Sequence, residues 1–370
     1  MAITAKAAVL REAGTQATIE IVIVEAPRAD EVLVAMRGVG VCHTDMVMRD
    51  GQLPVPLPVV LGHEGSGVVE AVGTDVTDLA VGDHVVLSFM SCSHCPSCHA
   101  HQPAYCHSWV PLNFFGTRAD GSTALTDAGG NPVHSHVFGQ SSFSTHTLVN
   151  RRNAVKVDAD LPLHLLGPLG CGIQTGAGAV LNSCKVRPGS SVAVLGTGAV
   201  GISAIMAARI AGAAVVVALD INEVRIALAR ELGATHGFRA DSADFPAHAS
   251  AAGCPAGFDY IIDTTGLPQV VNAAIHALAP LGELALVGAY PPGANIVADA
   301  THLMSAGRVV RGVVEGSADP QSFIPQLISY YREGRFPFDR LIEVFDFEAI
   351  ADAFVAGESG RVVKPVLCFS

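Results

Sequence analysis

The order of apolar and polar positions has two textures, and the change falls near residue 171. Over residues 1–40, the runs Ala7–Leu10, Ala17–Val24 and Glu31–Val39 are alternating or rich in β-branched residues and are separated by Gly, Pro and Asp, which predicts strands. Gly67–Val72 and His84–Leu87 predict two more, set off by turns at Gly73–Asp78 and Val81-Gly82-Asp83. Residues 91–143 carry many Cys, His, Ser and Gly with little periodicity, and a loop of that length needs something to tie it down. From residue 171 onward strands alternate with helical periods. Ser191–Leu195, Ala214–Leu219, Tyr260–Asp263 and Gly282–Val287 read as strands, and Val200–Ala211, Glu223–Leu232 and Gln269–Leu278 as helices. That alternation predicts a parallel, doubly wound sheet. Beyond about residue 313 the texture is mixed and ends in the β-rich Arg361–Phe369.

Length adds a domain count, because 370 residues exceed what one hydrophobic core organises. The expected division is 1–172 plus 314–370 for a largely β domain and 173–313 for the doubly wound one, with any binding site in the cleft between them. A formal net charge of −12 and the lack of any Lys/Arg run exclude a nucleic-acid partner. The charge-free runs 161–184 and 188–208 are long enough for a membrane helix, but Gly and Pro interrupt both, so no membrane partner is expected. Met1–Gly14 lacks the layout of a secretory signal, so a cytoplasmic protein is expected, with its nine cysteines serving as metal ligands or buried thiols rather than disulfides.

Four of those cysteines, Cys92, Cys95, Cys98 and Cys106, form C-x2-C-x2-C-x7-C inside the irregular region. The spacing lets thiolates turn inward on one loop and close a tetrahedron around Zn2+, a structural site with no coordination position left for water. An iron–sulfur cluster or scattered free thiols are the competing readings; a nucleic-acid-binding zinc ribbon would need basic residues, and 90–110 contains no Lys or Arg. Cys42, His63 and Cys171, each weak alone, together make the Cys-His-Cys set of a catalytic zinc with an open fourth corner. Strand 191–195 runs into Gly196-Thr197-Gly198-Ala199-Val200-Gly201 and an apolar helix, the setting in which G-x-G-x-x-G binds a pyrophosphate. Asp220 ends the next strand. A carboxylate there accepts from the ribose hydroxyls and repels a 2′-phosphate, favouring NAD over NADP; a helix N-cap is the alternative reading.

Gly62-His63-Glu64-x2-Gly67-x5-Gly73, the ligand set and the cysteine-rich loop resemble the zinc-dependent medium-chain alcohol dehydrogenase family over essentially the whole chain. The resemblance implies an α/β architecture in which a Rossmann domain joins a mostly β, GroES-like catalytic domain with a zinc-braced loop. It implies two zinc ions per subunit, NAD, and reversible oxidation of a primary alcohol to its aldehyde. It casts Glu64 as a carboxylate able to approach the zinc, Asp45 as the acceptor that orients His63, and Thr44 as the relay hydroxyl. It also casts Arg225 as flanking the adenosine, Thr175 as packing behind the nicotinamide, Val287 as lying beside its amide and Arg361 as reaching the pyrophosphate. Val47 stands where many relatives carry the terminal histidine of the relay, which leaves His43 as either a substitute base or a pyrophosphate contact.

The stretches Asn113–Gly121 and Phe138–Phe143 resemble the aryl-alcohol (benzyl alcohol) branch, with geraniol and other allylic terpenoid dehydrogenases similar there. A bulky primary alcohol, benzylic or allylic, is therefore the expected substrate, in a pocket lined by Phe89, Trp109, Val137 and Phe138. The glutathione-dependent formaldehyde branch would want an arginine soon after the cysteine loop, where His107-Ser108-Trp109-Val110 stands. A zinc-free quinone reductase would lack the ligands, and a non-catalytic nucleotide-binding protein would be expected to have lost one of them or Thr44. A homo-oligomer, dimer or tetramer, is expected.

Overall fold

The ten residues Glu31–Gly40 are buried on both faces except at Arg37, and they form the central strand of the first of two units. In the computed structural model, which describes residues 1–241, 244–291 and 293–369, this unit comprises Met1–Gly172, Asp319–Gln326 and Asp339–Ser370. Its larger sheet runs in the order Ala154–Val157, His84–Leu87, Gly65–Val72, Glu31–Gly40, Lys364–Cys368, Ile342–Asp346, and His146–Asn150 also pairs with Glu31–Gly40. A second sheet orders Val59–Val60, Ile3–Leu10, Thr18–Val24, Leu125–Asp127 and Pro132–Val133. Val, Leu and Met side chains from these strands, with Phe143, Phe347 and Phe354, make one continuous apolar core.

Two registers decide what this unit can do. Antiparallel pairing of Val39 with Gly65 sets the segment before Gly65 beside the one after Gly40. Pairing of Gly40 with Val366 brings the start of the C-terminal strand to the same place. Gly62, in the first of these segments, has φ +90°, and a Cβ there would lie 2.6 Å from the backbone nitrogen of Phe143. Only glycine fits such a turn pressed against another chain segment.

The second unit, Ile173–Ala318 with Leu327–Phe338, holds six parallel strands in the order His236–Arg239, Val215–Asp220, Ser191–Leu195, Phe258–Asp263, Leu278–Leu286, Val309–Gly312. Numbered along the chain from Ser191–Leu195 this is 3-2-1-4-5-6, the doubly wound arrangement with its switch point beside the first strand. Helices Ala199–Ile210 and Glu223–Glu231 follow the first two strands, within a residue or two of expectation. The strands His236–Arg239 and Val309–Gly312 escaped the hydrophobic pattern because both lie at sheet edges and alternate poorly in burial. Helix Pro320–Arg332 escaped it as well, since Pro325 interrupts an otherwise amphipathic period. The expected boundary at 313 is corrected: the second unit continues to Ala318 and takes in Leu327–Phe338. Glu315 accepts hydrogen bonds from Gln174 Nε2 at 3.1 Å and Thr175 Oγ1 at 3.4 Å, which holds 314–318 to that unit. Among the described residues no helix is long and apolar enough to cross a membrane.

Candidate metal centre and dinucleotide site

Cys42 caps helix His43–Arg49, where its N–H donates to Asp45 Oδ2 at 3.0 Å. The other oxygen of Asp45 accepts from Gly62 N–H at 3.1 Å and lies 3.0 Å from His63 Nδ1. Asp45 and His63 are fully buried, so the carboxylate anchors the imidazole by its Nδ1 edge and leaves Nε2 as the ring atom available to the centre. Among the described residues Nε2 has no hydrogen-bond partner although it is buried. Around it, the ligand atoms of Cys42, His63, Glu64 and Cys171 all lie within 4.8 Å of one another. Cys171 arrives from far along the chain on a turn in which Gly170 O accepts from Ser88 Oγ at 2.6 Å. The hydrogen bond from Cys171, and the charge of His63 against burial, hold the Cys42 thiol well below its ordinary value. His63 is held well above its own, as Asp45 and Cys42 outweigh burial. Two sulfurs, that of Cys42 held low, and one buried ring nitrogen are a donor set that fits Zn2+.

An aromatic wall stands against this centre. Phe138, in a left-handed conformation with φ +52°, stacks on the His63 ring at 4.5 Å and 22°. Trp109 meets Phe138 edge-on at 6.2 Å and lies 5.0 Å from Phe89. Phe114, which sequence reasoning did not single out, packs edge-on to Phe138 at 5.2 Å; its place on the same short helix as Trp109 was the available signal. Val137 is fully buried, with its N–H donating to Ser141 Oγ at 3.0 Å. Gln140 braces the wall by donating to His63 O at 2.9 Å and accepting from Gly65 N–H at 3.1 Å. Thr44 is half-buried and His43 exposed on the first turn of the helix that Cys42 caps.

Sequence reasoning missed Lys364. It is buried, and its Nζ donates to Glu64 at 2.8 and 2.9 Å and to Val41 O at 3.1 Å. Burial pushes the Glu64 carboxyl up while Lys364 pulls it back, and Lys364 is itself held above the ordinary lysine value because Glu64 outweighs burial. The only sequence signal was a lone lysine in an apolar terminal strand.

The four-cysteine loop folds as two short helices, Pro96–His99 and Trp109–Phe114, around sulfurs that again lie within 4.8 Å of one another. Backbone N–H groups of Cys92 and Ser108 point at Cys106 Sγ (3.2 and 3.4 Å), and that of His107 at Cys95 Sγ (3.5 Å). Burial pushes the Cys106 thiol up to about 12, so a thiolate there calls for a cation beside it. All nine cysteines are free thiols.

In the second unit, Gly196 (φ +86°) turns the chain off the first strand, and Gly198 caps helix Ala199–Ile210. A Cβ on Gly201 would lie 1.9 Å from Gly196 O, so that glycine serves the turn itself. A Cβ on Gly198 would meet nothing within 4 Å, a cradle open above a helix N-terminus that fits a pyrophosphate. Asp220 Oδ2 accepts from Thr197 N–H and Oγ1, both at 2.6 Å, and Oδ1 from Asn222 N–H at 2.9 Å. The N-cap of the following helix is Asn222, so the N-cap reading of Asp220 falls. Val200 lies in the first turn of the glycine-rich helix, and Arg225 keeps a buried Nε without a hydrogen-bond partner among the described residues. Thr175 is engaged by Glu315, and Val287 donates its N–H to Asp263 O at 2.9 Å. Arg361, in the first unit, pairs with Glu343 at 2.8 Å and lies over the Phe345 ring.

A Cys-His-Cys centre under an aromatic wall, a four-thiol lobe and a glycine-rich turn on a doubly wound sheet define a metal-dependent dehydrogenase. Residues 28–159 match the alcohol dehydrogenase GroES-like domain and residues 199–330 the zinc-binding dehydrogenase domain. Geraniol dehydrogenase of Castellaniella defragrans is 51% identical over 99% of this chain and 98% of its own. An alcohol dehydrogenase zinc-binding domain protein from Burkholderia ambifaria superposes with a TM-score of 0.97 at 50% identity, and benzyl alcohol dehydrogenase from Acinetobacter calcoaceticus with 0.96 at 42%, each covering 100% of both chains. The chain belongs to the zinc-dependent medium-chain alcohol dehydrogenase family. It is an oxidoreductase acting on an alcohol, and its cofactors are zinc and a nicotinamide dinucleotide.

Proposed function

We propose that this enzyme oxidises bulky benzylic or allylic primary alcohols to their aldehydes with NAD. One observation carries the reading: the buried Nε2 of His63 lies within 4.8 Å of two thiols while Phe138 stacks on the ring. Cys42, His63 and Cys171 hold the catalytic zinc, and Cys92, Cys95, Cys98 and Cys106 the structural one. When bound, the metal supplies Lewis acidity to the alcohol oxygen, and the dinucleotide accepts hydride. Asp45 keeps the His63 proton on Nδ1, Thr44 Oγ1 accepts the substrate hydroxyl proton as it passes its own on towards the cofactor ribose, and Phe89, Trp109, Phe114 and Phe138 exclude water and pack against an unsaturated substrate. The names of the geraniol and benzyl alcohol relatives support that substrate class. Arg118, the first arginine after the four-cysteine lobe, is buried in a bidentate pair with Glu31 (2.6 and 3.1 Å), which argues against an anionic glutathione adduct.

A substrate panel read by NADH absorbance tests the proposal. Benzyl alcohol or geraniol is expected to exceed ethanol in kcat/KM by about 100-fold or more, given what apolar contacts contribute to discrimination. Ethanol as the best substrate, or activity on formaldehyde only with glutathione present, would remove it.

Asp220 sets the preference for NAD in this reading. Asp220→Asn keeps the size but loses the charge, and is expected to raise kcat/KM for NADP and lower it for NAD by about 10- to 100-fold each, the range of a charged hydrogen bond. Unchanged selectivity would assign Asp220 to bracing Thr197 alone.

A homo-oligomer is supported by the unpaired sheet edge at Val309–Gly312 and by exposed Leu281, Val297, Met304, Val309 and Val314 in the same unit. Sedimentation at the monomer mass would contradict it.

A further inference from the structure

The Glu64 carboxylate has two competing partners. One is the cluster of Cys42, Cys171 and His63, whose ligand atoms lie within 4.8 Å of a Glu64 oxygen. The other is Lys364, which donates to both carboxylate oxygens. A buried carboxylate beside a dication is drawn onto it unless another charge holds it away. Charge bookkeeping gives the same answer: two thiolates neutralise Zn2+, so Glu64 is surplus negative charge that Lys364 neutralises.

We propose that Lys364 is a positioning residue that holds Glu64 off the catalytic metal, so that the fourth corner stays open to the alcohol; this rests on the zinc site proposed above. The fold is built around that grip. A Cβ on Gly40 would lie 2.0 Å from Glu64 Oε2, so the glycine leaves room for the carboxylate where it meets the lysine. The Gly172 N–H adds a donor to Glu64 Oε1 at 3.2 Å, one residue after Cys171. Val41 O takes the remaining reach of the ammonium, and the Gly40–Val366 register aligns Lys364 with the segment carrying Cys42. The lysine is therefore tied both to the segment after Gly40 and to the segment before Gly65, which carry Cys42 and His63, and has little freedom to leave Glu64. In Lys364→Met the carboxylate loses its cation and turns to the metal, occupying the corner.

The test uses the full chain with cobalt(II) in the catalytic site, read by its visible absorption, and imidazole as the probe that competes for the open corner. Lys364→Met is expected to change the cobalt spectrum with no ligand added and to weaken imidazole binding by about 10- to 100-fold, the usual effect of losing a group that supports a metal site. Lys364→Arg keeps the charge and should bind imidazole like the parent. In Lys364→Met/Glu64→Gln the neutral amide is a poor competitor, so spectrum and affinity should return towards the parent, which a merely structural lysine would not produce. If Lys364→Met fails to fold, Lys364→Gln, which keeps a donor without charge, is read against its own Glu64→Gln partner. A parent-like spectrum and affinity in the single variant, or no recovery in the double, overturns the proposal while leaving the zinc reading intact. A parent chain that takes up no cobalt outside the four-cysteine lobe instead overturns the zinc reading itself.

Discussion

His63→Ala is expected to lower kcat with benzyl alcohol by about four orders of magnitude or more and to reduce the metal content from two zinc ions per chain towards one. The size follows from what the metal contributes: stabilising developing charge on the alcohol oxygen is worth several kcal/mol, and each ~1.4 kcal/mol is tenfold in rate. His63 is the one nitrogen donor of the centre, and its orientation rests on Asp45, which also fastens Cys42 and Gly62. Removing the imidazole leaves two thiolates and takes away the ring on which Phe138 stacks. Atomic absorption alongside NADH-coupled kinetics checks both parts. Turnover that survives with only the lobe zinc bound would refute the assigned chemistry.

The second large effect is on stability. Cys106→Ser is expected to lose the lobe zinc and to lower the apparent Tm by about 10 °C or more, with early proteolysis between residues 91 and 115. The local apolar cluster there consists of Cys92, Cys95 and Cys106, with Cys98 and Leu112 packed against it. Metal–sulfur bonds thus stand in for a core. Trp109 begins the helix that leaves this lobe and reaches Phe89 and Phe138, so loosening the lobe should also raise KM for aromatic alcohols. Scanning calorimetry and limited proteolysis report the first effect. Two zinc ions and a parent-like Tm in the variant would show that the lobe does not depend on its metal.

Much of this was legible because it is local. The strands of the doubly wound sheet announce themselves as runs of Val, Leu and Ile ending in Gly or Asp, and central strands buried on both faces have no other way to read. The edge strands His236–Arg239 and Val309–Gly312 lack that burial and hence lacked the signal. Thiolate spacings of three residues declare a metal loop because the loop itself carries the geometry. Gly62, expected from the signature, is explained only by the packing of Phe143 against it.

By itself the sequence determined the class of chemistry, since ligand types, a glycine-rich turn and an acid at a strand end are properties of short segments. Tertiary structure decided the rest. It set Glu64 against Lys364, 300 positions apart, through two strand registers, and placed Phe138 on His63 through a left-handed backbone. It also fixed where the second unit ends, through the grip of Glu315 on Gln174 and Thr175. The physical reason is the same in each case: a partner across a sheet or a turn is chosen by packing and pairing over the whole unit, and nothing in the neighbouring residues records it.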